Sequence, residues 1–394
     1  MNRDFSLYLV SRFASGTAMM LLRAAVAWHV FDLSHSAFHL GLVGLVQFLP
    51  VLVLNLFGGA VADSFDRRRV MNAAQLVLLA CGLALYLGTR DGGGSLALLY
   101  ATVVGVAVAS AFEAPARAAI LPALVSPAFF PRAVTLGSTN QALAFATGPA
   151  VAGLVIASAG IAAAYATYVG LLAVAFVCIL ALRAGGGAPA KRALSLAAIA
   201  EGIRFVWRQP VILGCMSLDM FAVILGGATA LLPIYAQDIL RVGPRGYGWL
   251  TASFELGALA MSVLLVARNP VTQAGRTLLG AVVVFGLATI AFGLSRAFPL
   301  SLAAYALAGM ADQVSVVMRA TAVQLSTPDE LRGRVSAINF LFIGASNQLG
   351  AAESGFLAHY TSPTFAVVFG GVGCLVMAAI VAWKLPELRR YRIA

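Results

Sequence analysis

Charge is scarce in this 394-residue chain: Asp, Glu, Lys and Arg together make 10% of it, against 61% apolar residues and a mean hydropathy of +0.93. A water-soluble domain carries about 25% charged residues, so that class is excluded and the solvent is lipid. Cysteine is almost missing as well. Cys81, Cys178, Cys215 and Cys374 all fall inside apolar runs without metal-type spacing, which leaves them as small apolar fillers rather than a zinc or disulfide framework. The histidines His29, His35, His39 and His359 fall at expected span ends, and their spacing fixes no coordination geometry, so no metal site is assigned. The chain also lacks a phosphate-cradling glycine loop, H-E-x-x-H and G-x-S-x-G; no catalytic residue is assigned and no cofactor is expected.

Long apolar runs are what the chain has instead. A helix needs about 20 apolar residues to cross a bilayer, and it satisfies its own backbone there. Such segments run at about 6–31, 38–62, 70–90, 96–116, 134–157, 162–183, 210–237, 246–267, 276–294, 299–320, 335–358 and 364–384. The first is too long for a cleavable signal peptide, is interrupted by Arg12 and Arg23, and is expected to stay in the membrane. The fold class expected is therefore all-α and integral to the membrane, with twelve spans.

Twelve spans return both termini to one side. Placing them in the cytoplasm leaves only Arg90, Arg241, Arg245 and Arg296 outside and Arg12 and Arg23 in the membrane, with the rest of the 26 Lys and Arg on the cytoplasmic side. The net charge of +11 is thus a topology signal spread over loops, not a nucleic-acid surface. Trp28, Trp207, Trp249 and Trp383 fall near span ends, where an indole keeps its ring apolar and its N–H wet.

The chain divides into residues 1–184, a linker at 185–209 and residues 210–394. Within the linker, Leu196, Ile199, Ile203, Val206 and Trp207 recur at helical steps, with Glu201, Arg204 and Arg208 opposite, as a surface-lying amphipathic helix requires. The two halves repeat at an offset of 202 residues: Arg117 and Arg132 map to Arg319 and Arg334, and Gly148 and Gly153 map to Gly350 and Gly355. Duplicated six-helix bundles with a site at their interface are expected.

Residues 58 to 71, Gly-Gly-Ala-Val-Ala-Asp-Ser-Phe-Asp-Arg-Arg-Arg-Val-Met, resemble the major facilitator superfamily signature G-x-L-A-D-R-x-G-R-K-x-x-L through Gly59, Val61, Ala62, Asp63, Arg67, Arg68 and Met71, with Ser64 and Asp66 as departures. Gly148, Pro149 and Gly153 partly match the antiporter motif G-x-x-x-G-P-x-x-G-G, with Ala144 and Ala152 in place of glycines. Leu231–Ala236, Gly243–Gly248 and Thr327–Val335 look like the branch of that superfamily that includes the enterobactin exporter and related efflux proteins. The resemblance implies two pseudo-symmetric six-helix bundles and a cytoplasmic gate at Gly59, Asp63, Arg67, Arg68, Arg117 and Arg334. It also implies an exporter working by antiport, with Pro149 bending its helix.

Ionisable groups inside spans are costly, about 2.5–3.5 kcal/mol each at mid-bilayer, so they mark pairs, cavities or proton carriers. Asp219, Glu255, Asp312, Glu353 and Glu113 are the proton-coupling candidates, since a buried carboxyl takes a proton and gives it up when water returns. Glu113 lies i,i+4 from Arg117 and is also placed for an ion pair. Arg23, Asn140, Gln141, Phe221, Phe254, Gln313, Phe342, Asn347 and Gln348 are the cavity and substrate candidates.

The expectation is a monomeric, multi-pass secondary transporter of the bacterial inner membrane, using a proton gradient to export an amphipathic small molecule that is siderophore-like or drug-like. Its partners are that molecule, protons and membrane lipids, with no nucleic acid. A lipid or lysophospholipid mover, or a receptor that does not transport, is the alternative.

Overall fold

The computed structural model describes residues 3–183, 196–267, 271–328 and 331–392; within its helices the side chains of 49, 51, 55–64, 196–200, 202, 333 and 337 are not described. Among the described residues every regular element is helical. In chain order they are α1 (Arg3–Ser34), α2 (Ala37–Ser64), α3 (Arg67–Thr89), α4 (Leu96–Leu124), α5 (Phe130–Leu180), α6 (Leu196–Arg208) and α7 (Pro210–Leu225). A 3-10 turn at Ala228–Leu231 leads into α8 (Leu232–Ile234) and a π turn at Tyr235–Ile239. Then come α9 (Gly243–Ala267), α10 (Ala274–Leu294), α11 (Phe298–Leu325), α12 (Arg332–Tyr360), α13 (Pro363–Lys384) and α14 (Pro386–Arg390).

Ten of these stretches are long and apolar enough to cross a membrane. The 51-residue α5 holds two of the expected spans, because Gly160 breaks it at φ 82° and ψ 175°, a backbone that only glycine adopts without strain. The helix continues through Pro149 with helical dihedrals, and the break between the two spans falls at Gly160. α12, at 29 residues, is also long enough to span, though Arg332, Arg334, Asn347, Gln348 and Glu353 make it less apolar.

The seventh span is discontinuous. α7 stops at Leu225, and Gly226 and Gly227 carry the chain into the 3-10 turn. A Cβ on Gly227 would lie 2.9 Å from the Gly350 carbonyl oxygen, so the break is seated directly on the α12 backbone. Side chains and neighbouring backbone re-satisfy such a break in lipid.

Two compact units emerge from the packing. Unit 1 is Met1–His35, Val46–Ala193 and Gly243–Ala252; unit 2 is Ser36–Leu45, Leu194–Val242 and Ser253–Ala394. Unit 1 therefore takes the first turns of α9, and unit 2 takes the first turns of α2. Small residues make these joints. In unit 1 a Cβ on Gly153 would stand 2.6 Å from the Pro244 carbonyl oxygen and 2.7 Å from the Gly248 Cα. In unit 2 a Cβ on Gly41 would stand 3.1 Å from the Gly355 Cα. Since lipid tails are as apolar as leucine, close backbone approach rather than the hydrophobic effect holds helices together here.

Buried tyrosines add polar ties. Tyr165 accepts or donates to His29 Nδ1 at 2.9 Å, Tyr168 donates to the Leu78 carbonyl at 3.3 Å, and Tyr235 donates to the Gly293 carbonyl at 2.9 Å. Tyr247 donates to the Ala24 carbonyl at 3.1 Å and lies 5.4 Å from the Trp28 ring. His29 is thus buried in the helix packing, 3% exposed.

Candidate functional site

Unit 2 contains a small recess of about 20 Å³ lined by Asp219, Ala222 and Val223 of α7, Val282 and Phe285 of α10, and Asp312 and Ser315 of α11. Three helices converge there, and two carboxylates face one space. The Asp219 carboxylate forms an ion pair with Arg319, four residues beyond Ser315 on α11; the two side chains are 10% and 5% exposed. Asp312 has no ion pair or hydrogen bond among the described residues. Ser315, 7% exposed, likewise has no described hydrogen-bond partner. One arginine and two acids leave the recess one negative charge in excess when both acids are ionised, and a buried charge without a partner is costly. A proton or a cationic group would relieve it.

Unit 1 has a different arrangement at the matching level. Arg117, the repeat equivalent of Arg319, pairs with Glu113 on its own helix, and Gln75 Nε2 of α3 donates to Glu113 Oε1 at 3.1 Å. The i,i+4 spacing on α4 puts the guanidinium one turn below the acid. Glu113 is therefore the acid of a buried ion pair with Arg117.

The remaining acids lie apart from the recess. Glu353, half-buried on α12, accepts from the Ser354 hydroxyl at 3.3 Å, and Glu255 is half-buried on α9. Several expected cavity groups are occupied in helix packing. Gln141 Oε1 accepts from Arg12, and Asn140 Nδ2 donates to the Leu9 carbonyl at 2.9 Å, so both tie α5 to α1. Phe254 packs 5.2 Å from Tyr305, within a ring chain that continues to Phe292 and Tyr235. Asn347 donates to its own helix at the Ile343 carbonyl, 2.9 Å away. Phe221, Gln313 and Gln348 are half-buried, and Arg23 and Phe342 are exposed.

The loop after α2 is built for helix ends. Asp66, a departure from the superfamily signature, is the N-cap of α3, accepting from the Arg68 and Arg69 amides at 2.9 and 3.1 Å. Arg67 Nη1 donates to the Ala119 carbonyl at 2.8 Å, and Arg68 donates to the carbonyls of Ile179, at 3.2 Å, and Leu180. Arg68 thus caps the C-terminus of α5, where carbonyls and the helix dipole favour a cation, while Arg67 reaches a carbonyl in the last two turns of α4. Gly59 and Asp63 lie on the last turns of α2, with surroundings outside the described residues. Arg334 Nη1 pairs with Glu201 Oε2 of α6 at 2.6 Å, joining α12 to the linker helix.

Sequence reasoning missed two features of the site. The Gly226-Gly227 break was readable as a glycine pair within an apolar run. The pairing of Asp219 with Arg319 had only a weak signal, the recurrence of an arginine at the repeat offset.

A family model described as transmembrane secretion effector matches residues 2–392. The multidrug efflux pump Tap of Mycolicibacterium fortuitum is 27% identical over 405 residues, covering 98% of this chain and 97% of the pump. The enterobactin exporter EntS of Shigella boydii is 26% identical over 397 residues, covering 98% and 93%. Among solved structures, a POT family transporter in complex with 5-aminolevulinic acid superposes with a TM-score of 0.78 at 11% identity, covering 98% of this chain and 97% of that one. That likeness shows the major facilitator fold.

Proposed function

The chain belongs to the transmembrane secretion effector family of major facilitator transporters, and from that premise we propose that it exports an amphipathic small molecule in exchange for protons, with Asp312 as the coupling acid. It is a multi-pass membrane transporter of small molecules and not an enzyme, as its pump and exporter relatives are. The observation that carries the coupling reading is the shared recess: Arg319 is committed to Asp219, so Asp312 is the carboxyl whose charge a proton must balance. When the recess opens to water, the proton leaves and the substrate can be exchanged.

In this reading the protein works as a monomer in the bacterial inner membrane with both termini in the cytoplasm. Residues 1–184 and 210–394 move as two bundles about the 185–209 linker. No cofactor takes part, and the proton gradient supplies the energy. Siderophore-like and drug-like molecules are the substrates favoured by the relatives' names.

The test is proton-driven counterflow in proteoliposomes with a dye, a catecholate siderophore and a labelled lysolipid as probes, for wild type and Asp312→Asn. Transport that follows the pH gradient in wild type and becomes gradient-independent in Asp312→Asn supports the reading. Undiminished gradient-driven transport by the variant overturns the assignment of Asp312, and movement of lysolipid alone overturns the substrate class.

A further inference from the structure

Two tryptophan–cation doublets end membrane elements on the same side of unit 2. Trp207-Arg208 closes α6, two residues before α7 begins its span at Pro210, and Trp383-Lys384 closes α13 just before α14. Their indoles are 70% and 79% exposed, the most open tryptophans of the chain. The two sites share a foundation. Val206 of α6, Ile212 of α7, Val381 of α13 and Leu388 of α14 are buried in one apolar cluster, with Phe205 and Leu385 packed against it. A Cβ on Gly214 of α7 would lie 2.9 Å from Leu385 and 3.0 Å from Leu388.

Among its described side chains α6 meets the apolar cluster through Val206 and Phe205. Val206 is buried, whereas Ile203 and Trp207, one turn apart, stay exposed, 42% and 70%. Ile203 and Trp207 thus do not share the buried face with Val206 as the sequence pattern suggested; Leu196 and Ile199 lie outside the described side chains. Beside that apolar stripe, Arg204 and Arg208 form a second, exposed stripe. Glu201 is the acid on it, and its carboxylate is already taken by Arg334 at 2.6 Å. Lys384, Arg389 and Arg390 are exposed across the shared foundation.

We propose that this end of unit 2 is a docking surface for anionic phospholipids of the adjoining leaflet, with Trp207 and Trp383 in the headgroup layer and Arg204, Arg208 and Lys384 on the phosphates. The occupant follows from position. A tryptophan three residues before the first turn of a span sits at the depth of the headgroups, where an indole with a wet N–H is at home. An exposed apolar stripe flanked by cations is the pattern of a helix lying in that layer. Each cation near an anionic leaflet strengthens the segment's attraction to it about fivefold. Because α6 belongs to the linker and is tied by Glu201 to α12, bound lipid would hold the linker against the membrane.

The test uses two single-tryptophan proteins, one keeping Trp207 and one keeping Trp383, with the other indoles changed to Phe. Each is reconstituted in vesicles carrying brominated phosphatidylglycerol or brominated phosphatidylcholine, and fluorescence quenching is read. Preferential quenching by the brominated phosphatidylglycerol is expected. It should disappear for Trp207 in Arg204→Gln/Arg208→Gln and for Trp383 in Lys384→Gln, while quenching by the phosphatidylcholine persists and certifies insertion. Equal quenching by both lipids in the parent proteins overturns the proposal, as does a preference untouched by the substitutions. Loss of the preference in excess inorganic phosphate would identify a soluble-anion site and overturn it too. None of these readouts depends on transport.

Discussion

Arg319 of α11 pairs with Asp219 of α7 inside unit 2, while its repeat equivalent Arg117 pairs with Glu113 on its own helix. One arginine joins two helices and the other stays within one. The difference leaves Asp312 as the acid of the recess without an ion-pair partner among the described residues, and Ser110 stands at the equivalent position in unit 1.

Breaking the interhelical pair from the basic side strands the acid. Arg319→Met should lower stability by about 3–5 kcal/mol, as removal of one partner from a buried pair does. The double variant Arg319→Met/Asp219→Asn should recover most of that loss. Thermal unfolding in detergent for the two singles and the double reads the coupling; additive losses would show that the pair is not formed.

The glycine joint of unit 1 tolerates no side chain. Gly153→Val would drive its Cβ into the Pro244 carbonyl and the Gly248 backbone, an overpacking cost of about 1–3 kcal/mol. Insertion into the membrane should stay normal while the transport rate falls. Gly170→Val, at a glycine with nothing within 4 Å of its Cβ, is the control and should transport like wild type.

Asp66 and Arg68 should be read as caps. Asp66→Ala removes the N-cap of α3 and should cost about 1 kcal/mol, and Asp66→Asn should restore most of it. Arg68→Ala uncovers the Ile179 and Leu180 carbonyls and should cost about 1–2 kcal/mol. Arg69→Ala loses no described side-chain bond and should change little. Detergent melting curves on the four variants separate these cases.

Glu113→Gln keeps the shape of the α4 site but removes its charge. The expected outcome is lower stability, by about 3–5 kcal/mol, with the proton dependence of transport intact in the protein that remains folded. Loss of proton dependence at wild-type stability would instead make Glu113 a coupling acid.

The helical class and the order of the spans were legible because lipid imposes a simple rule on sequence: long apolar runs, with cations on one side. Even the turn between the fifth and sixth spans was marked by Gly160, the residue its φ demands. The repeat was legible too, and the structure gives it meaning, since Gly153 and Gly355 occupy matching joints against α9 and α2. Gln141 and Asn140 were harder. A polar side chain in a span announces that it needs a partner, but not whether that partner is a substrate or, as here, Arg12 and a backbone carbonyl.

What the sequence by itself determined, then, is the solvent, the spans and the small number of charges placed inside them, because burying backbone or charge in lipid is costly enough to constrain composition directly. Which of those charges are neutralised by one another was decided only by tertiary packing. Asp219 and Arg319 are a hundred residues apart in sequence, and their pairing depends on the close seating of α7 against α11. Distance between side chains on different helices sets the electrostatics, and no local pattern records it.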